Sequence, residues 1–248
     1  MTGRLFSPLR GIYVVLILTL MLTSCSQQPQ PFTFVQICDT QIGMVDYEKD
    51  KKMFEQAVKQ INELNPDFVI ICGDLIMDPD EKSYADFLSI KEGFNMPCYC
   101  VPGNHDVGDM PTPESLKYYR ETVGDDYFTI DHKGYSFVLV NTQLWDQPLE
   151  GESEKHDAWF NDTLKASTDA GKSIFIAGHF PLFLNTPDEG DDYFALPPEK
   201  RKDLLAVIEK NSVVAVLGGH THKTYINEYK GIQLVNPESI CRNIDGRP

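Results

Sequence analysis

The sequence predicts an α/β layered fold, with helices outside and β-sheets inside, in a single domain over residues 32–248. Short apolar runs alternate with longer amphipathic ones, and their order begins as β-α-β-α-β before hairpins enter in the middle of the chain. Hydrophobic residues make up 42 % of the 248 residues, which is enough to build one large core. The sequence contains no internal repeat or low-complexity block that would indicate a second folded domain.

The first half of the chain supplies three predicted strands and two predicted helices. A strand is predicted over residues 32–38, and apolar residues recur at helical spacing over 52–64. Residues 67–72 form a continuous apolar run, which is typical of a strand buried on both faces. A second helix is predicted over 82–94 and a third strand over 98–101.

The second half of the chain mixes hairpins with further helix–strand units. An antiparallel pair is predicted over 127–132 and 134–141, around the turn residues Lys133 and Gly134. The following elements are predicted in order: helix 153–168, strand 173–177, helix 198–210, strand 213–217, and a final hairpin over 224–229 and 232–235. This order favours mixed sheets rather than a purely parallel one.

The N-terminus is predicted to be a lipoprotein signal peptide over residues 1–24. Arg4 and Arg10 precede an apolar stretch over 11–22, which is short for a membrane span. The sequence Leu-Thr-Ser-Cys ending at Cys25 resembles the lipobox of bacterial lipoproteins. The resemblance implies a lipid anchor at Cys25, followed by a polar tether over 25–31. The protein would then be exported and tethered to a membrane, facing the periplasm or the cell surface. A plain secretory signal with an incidental cysteine, or an uncleaved anchor helix, are the alternatives.

Charge and cysteine content limit the function classes. The formal net charge of −15 argues against nucleic acid as a partner, because no basic surface would neutralise its phosphates. The five cysteines after Cys25 are interpreted as small buried thiols, since most lie in short apolar runs, and none of them forms a zinc-knuckle pattern. They are Cys38, Cys72, Cys98, Cys100 and Cys241.

Five segments that follow predicted strands carry polar side chains beside glycines or other small turns. The segments are Cys38-Asp39-Thr40-Gln41, Cys72-Gly73-Asp74, Pro102-Gly103-Asn104-His105-Asp106, Ala177-Gly178-His179-Phe180-Pro181 and Gly218-Gly219-His220-Thr221-His222. They contain four of the six histidines of the chain. Carboxylate, amide and imidazole donors in this mixture suit a pair of divalent or trivalent metal ions that keep positions open for water and substrate. Buried histidines more often have structural roles, but five such segments in series favour a metal site.

These segments resemble, in order, the sequence blocks of the calcineurin-like metallophosphoesterases. The resemblance covers roughly residues 32–240 and implies a four-layer αββα sandwich of two mixed β-sheets flanked by helices, with a dinuclear metal site that hydrolyses phosphate esters. Residues 103–108, 124–128 and 192–194 resemble more closely the branch that contains the eukaryotic calcineurin-like phosphoesterase-domain Ser/Thr phosphatases.

The resemblance also implies a role for each site residue. Asp39 and His222 would hold the first metal ion, Asp74 would bridge both ions, and Asn104, His179 and His220 would complete the second site. Water that is deprotonated near neutral pH would attack phosphorus in line. His105 would stabilise charge in the transition state or protonate the leaving oxygen, and Asp106 would lie behind the site.

Two positions depart from the family pattern. Gln41 stands where most of the family has histidine; its amide oxygen can bind a hard metal ion but is a weaker ligand than imidazole for zinc or iron. The change would either lower the affinity of the first site or shift its preference towards manganese or magnesium, and the identity of the metals (Mn, Fe, Zn or Mg) stays open. Met77 occupies a position where many relatives have Asp or Asn, and Asp78 follows it. Asp78 could orient His105 or cap a turn before Pro79. The resemblance further implies additional C-terminal strands beyond Pro248.

The expected activity is phosphomonoester hydrolysis on a phosphoprotein or a small phosphate. A phosphodiesterase or nucleotide pyrophosphatase is the first alternative, because the same metal pair serves diesters. A catalytically weak, surface-tethered binding protein is the second, and a zinc hydrolase with one metal is the weakest. Substrate choice is expected to reside in loops over 109–114, 143–152 and 184–198, whose aromatic residues Trp145, Tyr193 and Phe194 either contact substrate or pack the loops down.

Overall fold

Two β-sheets form the centre of the computed structural model, which describes residues 31–241. The first sheet consists of β1 (Phe34–Ile37), β2 (Phe68–Cys72) and β3 (Cys98–Val101), paired in parallel in the order β1-β2-β3. Each of these strands is short and apolar, and the chain crosses from one to the next through a helix, as parallel pairing requires.

The second sheet has six strands in the order β4-β5-β6-β7-β9-β8 and is mixed. Its strands are β4 (Phe128–His132), β5 (Tyr135–Leu139), β6 (Ser173–Ala177), β7 (Val213–Leu217), β8 (Tyr225–Tyr229) and β9 (Ile232–Asn236). The four central strands pair in parallel, while β4 and β8 are antiparallel edge strands that belong to hairpins. Lys133 and Lys230 take positive φ in the hairpin turns, and each is followed by a glycine that does the same.

Helices cover the outer face of each sheet. They are α1 (Tyr47–Leu64), α2 (Glu81–Lys91), α3 (Asn104–Val107), α4 (Pro113–Thr122), α5 (Gln143–Asp146), α6 (Glu152–Asp169) and α7 (Pro198–Ile208). Asp46 caps α1 by accepting a hydrogen bond from the backbone N–H of Lys49, and Asp80 caps α2 in the same way through Ser83. Within residues 31–241, none of the helices is long and apolar enough to span a membrane.

Three apolar clusters separate four layers of structure. One lies between the first sheet and helices α1, α2 and α4, one lies between the two sheets, and one lies between the second sheet and helices α6 and α7. Strand β2 contributes to two of these clusters, because its side chains alternate between its two faces. Phe68 and Ile70 face the other sheet, whereas Val69 and Ile71 face the helices. Full burial of each such side chain contributes about 1.5–3 kcal/mol.

The α/β fold with two sheets flanked by helices is therefore confirmed. Among the described strands, the first sheet is purely parallel and the second is mixed. Helix α1 begins at Tyr47 rather than at residue 52, because the Asp46 cap starts it earlier. Helix α2 ends at Lys91 rather than at residue 94, where the backbone N–H of Gly93 turns back to the carbonyl of Ile90.

Two helices lie where no helix was predicted. Helix α4 begins at Pro113, behind the N-cap Thr112, so the Thr-Pro pair was the signal for its start. Helix α5 makes up the beginning of the segment over 143–152, and Trp145 within it is buried in the core rather than available to substrate. The predicted signal peptide, the lipid anchor at Cys25 and the chain beyond Cys241 lie outside the described residues.

Candidate metal centre

The five predicted site segments meet where the two sheets present the C-terminal ends of their strands. Asp39 follows β1, Asp74 follows β2, and Asn104 begins α3 directly after β3. His179 follows β6, and His220 follows β7. Backbone hydrogen bonds join the segments to one another: the N–H of Asp39 donates to Gly73 O (3.0 Å), and that of Gly219 donates to His179 O (2.7 Å).

The backbone at this centre is held at positive φ, a conformation that non-glycine residues rarely adopt. Eight non-glycine residues among residues 31–241 have positive φ, and five of them are in the predicted site: Asp39 (53°), Gln41 (34°), Asp74 (52°), His220 (68°) and His222 (53°). The other three lie at a helix end and in hairpin turns. Such a residue costs on the order of 1–3 kcal/mol, which the surrounding structure must offset. Concentrated strain of this kind is typical of functional sites.

Two glycines are required by close approach of the site side chains. A Cβ at residue 103 would lie 2.1 Å from Asp74 Oδ1, and a Cβ at residue 73 would lie 2.6 Å from the ring of His179. Both distances are shorter than any real contact between such atoms, so a larger residue would displace Asp74 or His179. The glycines of the sequence blocks thus allow the side chains to reach one centre.

Two groups of potential ligand atoms share Asp74. One group consists of Asp74, His179 and His220, and the other of Asp39, Asp74 and His222; within each group the atoms lie within 4.8 Å of one another. Asp74 Oδ2 is 3.2 Å from His179 Nε2, and Asp39 Oδ1 is 3.4 Å from His222 Nε2. All five side chains are buried. A carboxylate common to two ligand groups is the arrangement that allows one side chain to bridge two cations.

Three polar atoms at this centre make no well-formed hydrogen bond among the described residues, although two of them lie at ion-pair distance from a neighbouring side chain of the centre. They are Asp39 Oδ1, Asn104 Oδ1 and His179 Nε2, and each is fully buried. An unsatisfied buried polar atom costs about 1–3 kcal/mol, so three buried atoms with poor or absent hydrogen bonds in one place point to a ligand. Carboxylate oxygen, amide oxygen and imidazole nitrogen are together a donor set for hard or borderline metal ions, and the residues therefore fit a pair of metals.

Outer hydrogen bonds determine which nitrogen of each imidazole faces the centre. A carbonyl oxygen can only accept, so the ring nitrogen beside it carries the proton. His179 Nδ1 donates to Cys72 O (2.8 Å), so Nε2 is the nitrogen that is free to bind a metal beside Asp74. His220 Nε2 donates to Tyr193 O (3.1 Å), so Nδ1 is the nitrogen that is free to bind a metal. Metal-binding histidines are generally oriented in this way.

His105 is oriented by the main chain and not by Asp78. Its Nδ1 donates to the carbonyl oxygen of Met77 (3.1 Å), and its backbone N–H donates to Asp74 Oδ1 (3.1 Å). The ring is half-buried, so Nε2 is the nitrogen left to act on a ligand. The alternative of Asp78 as the partner of His105 is therefore not supported by the hydrogen bonds.

Charges at the centre shift the pKa values of its buried groups in opposite directions. Burial opposes ionisation of Asp74, but the neighbouring His179, His105 and His220 outweigh it and lower the pKa of Asp74 to about 2. Burial likewise opposes protonation of His179, yet Asp74 raises its pKa to about 9. Burial, together with His179, lowers the pKa of His220 to about 4. A metal ion at Asp74 and His179 must consequently displace a proton, and its binding is pH-dependent.

Asp106 lies behind the centre and joins two of its loops. Its carboxylate accepts hydrogen bonds from the backbone N–H groups of Gly103 (2.8 Å) and Leu75 (3.1 Å). The hydroxyl of Tyr84 donates to the backbone carbonyl of Asp106. Burial and the nearby Asp74 raise the pKa of Asp106 to about 8. The residue thus fixes the Asp74 loop to the Asn104 loop.

Gln41 lies among sulfur atoms. Its Nε2 donates to Met77 Sδ (3.8 Å), and the Cys241 thiol donates to its Oε1 (3.7 Å). These are weak hydrogen bonds, and the side chain is buried. The predicted ligand oxygen of Gln41 is therefore in contact with a thiol.

Two contacts around the centre were not predicted from the sequence. Asp109 Oδ1 accepts a hydrogen bond from Asn104 Nδ2 (2.9 Å), which orients the amide oxygen of Asn104 inward. Tyr193 supplies the carbonyl that holds His220. The proximity of Asp109 to the Asn104 segment was a local signal, whereas the carbonyl of Tyr193 had none.

Comparison with known proteins agrees with this geometry. The family model described as calcineurin-like phosphoesterase matches residues 32–224. The serine/threonine-protein phosphatase CPPED1 of Bos taurus is 33 % identical over 235 residues, which cover 85 % of this chain and 75 % of that protein. A probable cyclic nucleotide phosphodiesterase of Psychrobacter arcticus is 26 % identical over 200 residues, covering 76 % of this chain and 69 % of that protein. The crystal structure of a dimetal phosphatase from Danio rerio superposes with a TM-score of 0.66 at 17 % identity, covering 85 % of this chain and 88 % of that one.

The fold and the shared-carboxylate centre define a metal-dependent phosphoesterase. The chain belongs to the calcineurin-like phosphoesterase family, and it is a hydrolase of that family.

Proposed function

We propose that the protein is a phosphomonoesterase that acts on a phosphoprotein or a small phosphate at a dinuclear metal centre. The observation that carries the proposal is Asp74, which belongs to both groups of potential metal-ligand atoms, beside three buried polar atoms that make no well-formed hydrogen bond within residues 31–241. The relationship to a serine/threonine phosphatase at 33 % identity supports the monoester substrate.

The chain's own residues divide into two metal half-sites. The first half-site is Asp39, His222 and Gln41, the second is Asn104, His179 and His220, and Asp74 is shared between them. Metal ions bound there would supply Lewis acidity towards a phosphoryl oxygen and lower the pKa of water. The side chains hold the donors in place, and the outer hydrogen bonds from Cys72 and Tyr193 keep the imidazoles aligned.

His105 acts on the leaving group in this proposal. Its Nδ1 proton is fixed on the Met77 carbonyl, so Nε2 is the atom that contacts a phosphate ester lying against Asp74. Protonated at Nε2, the ring stabilises negative charge on the ester oxygen or donates a proton to it as the P–O bond breaks. Such a contribution is worth about 10²–10⁴-fold in rate.

A phosphodiesterase is the second candidate, because the phosphodiesterase-like relative from Psychrobacter arcticus matches 76 % of the chain. A monoester and a diester place different demands on the site: the diester adds a second substituent, while the monoester adds a second negative charge. Rates on p-nitrophenyl phosphate and bis(p-nitrophenyl) phosphate compare the two directly. A higher kcat/KM on the diester would overturn the monoester proposal.

The first experiment is hydrolysis of p-nitrophenyl phosphate by metal-stripped protein and by protein restored with manganese, zinc, iron or magnesium. We expect activity to return with metal, to be lost in Asp74→Ala, and to fall by about 10²–10⁴-fold in His105→Ala with metal content unchanged. His132→Ala, at the half-buried end of strand β4 and outside the five site segments, is the matched control and should retain activity. Folded, metal-loaded protein that is inert on both the monoester and the diester would instead support a surface-tethered binding protein.

We further propose that the protein is exported and tethered to a membrane by acyl chains on Cys25, on the strength of the lipobox-like sequence alone. Cells fed a labelled fatty acid should incorporate the label into the protein, and Cys25→Ala should abolish it. Label retained in Cys25→Ala, or absent from both forms, would refute the anchor.

A further inference from the structure

A cavity of about 380 Å³ lies beside the candidate metal centre. Its lining residues are Asp109, Asp146, Gln147, Phe180, Asp191, Asp192, Tyr193 and Pro197. It is attached to the centre at two points, because Asp109 accepts the hydrogen bond from Asn104 and the carbonyl of Tyr193 accepts the one from His220. The ring of Phe180 also lies 4.1 Å from that of His220, centroid to centroid. A substrate held at the metals therefore has this cavity as its neighbour.

The cavity is strongly negative. Half of its eight lining residues are aspartates, and none is a lysine or arginine. Among residues 31–241, no lysine or arginine forms an ion pair with any of these four carboxylates. Burial, together with the carboxylates of Asp191 and Asp109, raises the pKa of Asp146. Asp109, Asp191 and Asp192 are solvent-exposed and Asp146 is half-buried, so the cavity presents negative charge to a ligand.

Aromatic rings line the same cavity. Phe180 and Tyr193 are both lining residues, and Tyr193 is 64 % exposed. Aromatic faces attract organic ammonium groups, and carboxylates add the charge attraction. A bare metal cation would use the aspartates alone and leave the rings without a role. The combination therefore favours an organic ammonium.

Asn104 connects the cavity with the phosphate end of the site. Asn104 is 2 % exposed. Its Oδ1, the predicted metal-ligand atom, has no hydrogen-bond partner among the described residues. Its Nδ2 donates to Asp109, which lines the cavity. One buried amide thus lies between the place where the phosphoryl group would bind and the place where the leaving group would extend. The two ends of a substrate would be separated by little more than this side chain.

We propose that this cavity, the ammonium pocket, binds a positively charged ammonium group carried by the leaving alcohol of a phosphate monoester. The inference rests on the proposed phosphomonoesterase function and narrows its substrate class. In the reaction, the oxygen of water forms a bond to phosphorus, the ester P–O bond breaks, and the alcohol oxygen takes a proton. The products are inorganic phosphate and an ammonium-bearing alcohol.

The test compares phosphocholine with its uncharged isostere 3,3-dimethylbutyl phosphate on the metal-loaded protein. We expect kcat/KM to favour phosphocholine by at least about tenfold, and Asp146→Asn combined with Asp191→Asn and Asp192→Asn to reduce the ratio towards one. The ratio within each variant cancels any general loss of activity. Asp162→Asn, an exposed carboxylate on α6, is the matched control and should keep the preference. Thermal unfolding of each variant verifies that it folds.

Two results would overturn the inference: equal kcat/KM for the two substrates, or a preference that persists in the triple variant. Activity on p-nitrophenyl phosphate distinguishes this failure from that of the proposed function, since an active enzyme without preference fails only the ammonium pocket. A second pair, a phosphoserine peptide flanked by lysine and its norleucine counterpart, distinguishes the source of the charge. Discrimination in the peptides alone would assign the pocket to basic phosphopeptides rather than to small amino alcohols.

Discussion

The two halves of the metal centre differ in how firmly their side chains are oriented. In the second half-site, His179 donates to the Cys72 carbonyl at 2.8 Å, His220 to the Tyr193 carbonyl at 3.1 Å, and Asn104 to Asp109 at 2.9 Å. In the first half-site, the side-chain amide of Gln41 has only sulfur partners within residues 31–241, Met77 at 3.8 Å and Cys241 at 3.7 Å. Hydrogen bonds to oxygen at under 3.2 Å restrict a side chain far more than contacts with thiol or thioether.

Because of this difference, we expect the two sites to bind metal with unequal affinity. Ligands that are held in place before the metal arrives lose little freedom on binding, and their outer partners make them more basic. The second half-site has this support on every side chain. In the first, the N–H of His220 holds Asp39 Oδ2 (3.1 Å), and the weakly oriented member is Gln41, an amide where an imidazole would bind zinc or iron better. We expect the second half-site to fill first and to be the last to empty under a chelator.

Arg201 is expected to support the second half-site indirectly, because it holds the loop that carries Tyr193. The guanidinium is fully buried and donates to the carbonyls of Glu189 (2.7 Å) and Leu196 (2.9 Å), on either side of Tyr193. Arg201→Leu leaves these carbonyls unsatisfied, so we expect a loss of roughly 3 kcal/mol in unfolding free energy. Because Tyr193 holds His220, metal binding at the second half-site should also weaken.

The measurements are thermal unfolding and metal titration by calorimetry. Lys202→Ala, on the exposed neighbouring position of α7, is the control and should change neither quantity. If Arg201→Leu unfolds like the unmodified protein, the loop is held by other contacts and Arg201 has no positioning role.

A smaller effect is expected from Asp109→Ala. The substitution removes the acceptor of Asn104 Nδ2 and allows the amide to rotate, so the affinity of the second half-site for manganese should fall by about 10–100-fold. Competition with a fluorescent chelator, without substrate, measures this directly. Asp78→Ala serves as the control, since the hydrogen bond of His105 goes to the Met77 carbonyl. Equal losses in both variants would mean that charge alone, and not orientation, explains the effect.

The sequence predicted the fold class and the strand-end segments because the information is local. Asp39 and Asp74 directly follow apolar strands, and parallel strands end at one edge of a sheet, so their proximity follows from the pattern. The glycines beside them indicated close backbone approach, as the 2.1 Å contact of a Cβ at residue 103 demonstrates. Binding chemistry and topology could therefore be predicted together.

The residues that the sequence did not reveal act through long-range packing. Arg201 lies on a helix, where an arginine is expected at the surface, and only the folded loop over 184–197 accounts for its burial. The carbonyl of Tyr193 carries no side-chain signal, and His220 lies 27 residues further along the chain. Helix α5 is a single turn, which intrinsic helix propensity is too weak to predict, and it forms where Trp145 is buried in the core.

The smallest predicted effect, and the one that would remove the difference between the halves, comes from Gln41→His. Residue 41 has φ 34°, and histidine is among the few non-glycine residues that tolerate positive φ, so the backbone should accept it. An imidazole there would replace an amide bonded to sulfur, and zinc affinity of the first half-site should rise by about tenfold, the lower end of the range over which metal sites respond to their surroundings. Two-site calorimetric titration measures both affinities, with Gln60→His on the exposed face of α1 as the control for an added imidazole. If the two affinities stay as far apart as before, the weakness of the first half-site arises from its sulfur surroundings and not from the residue at position 41.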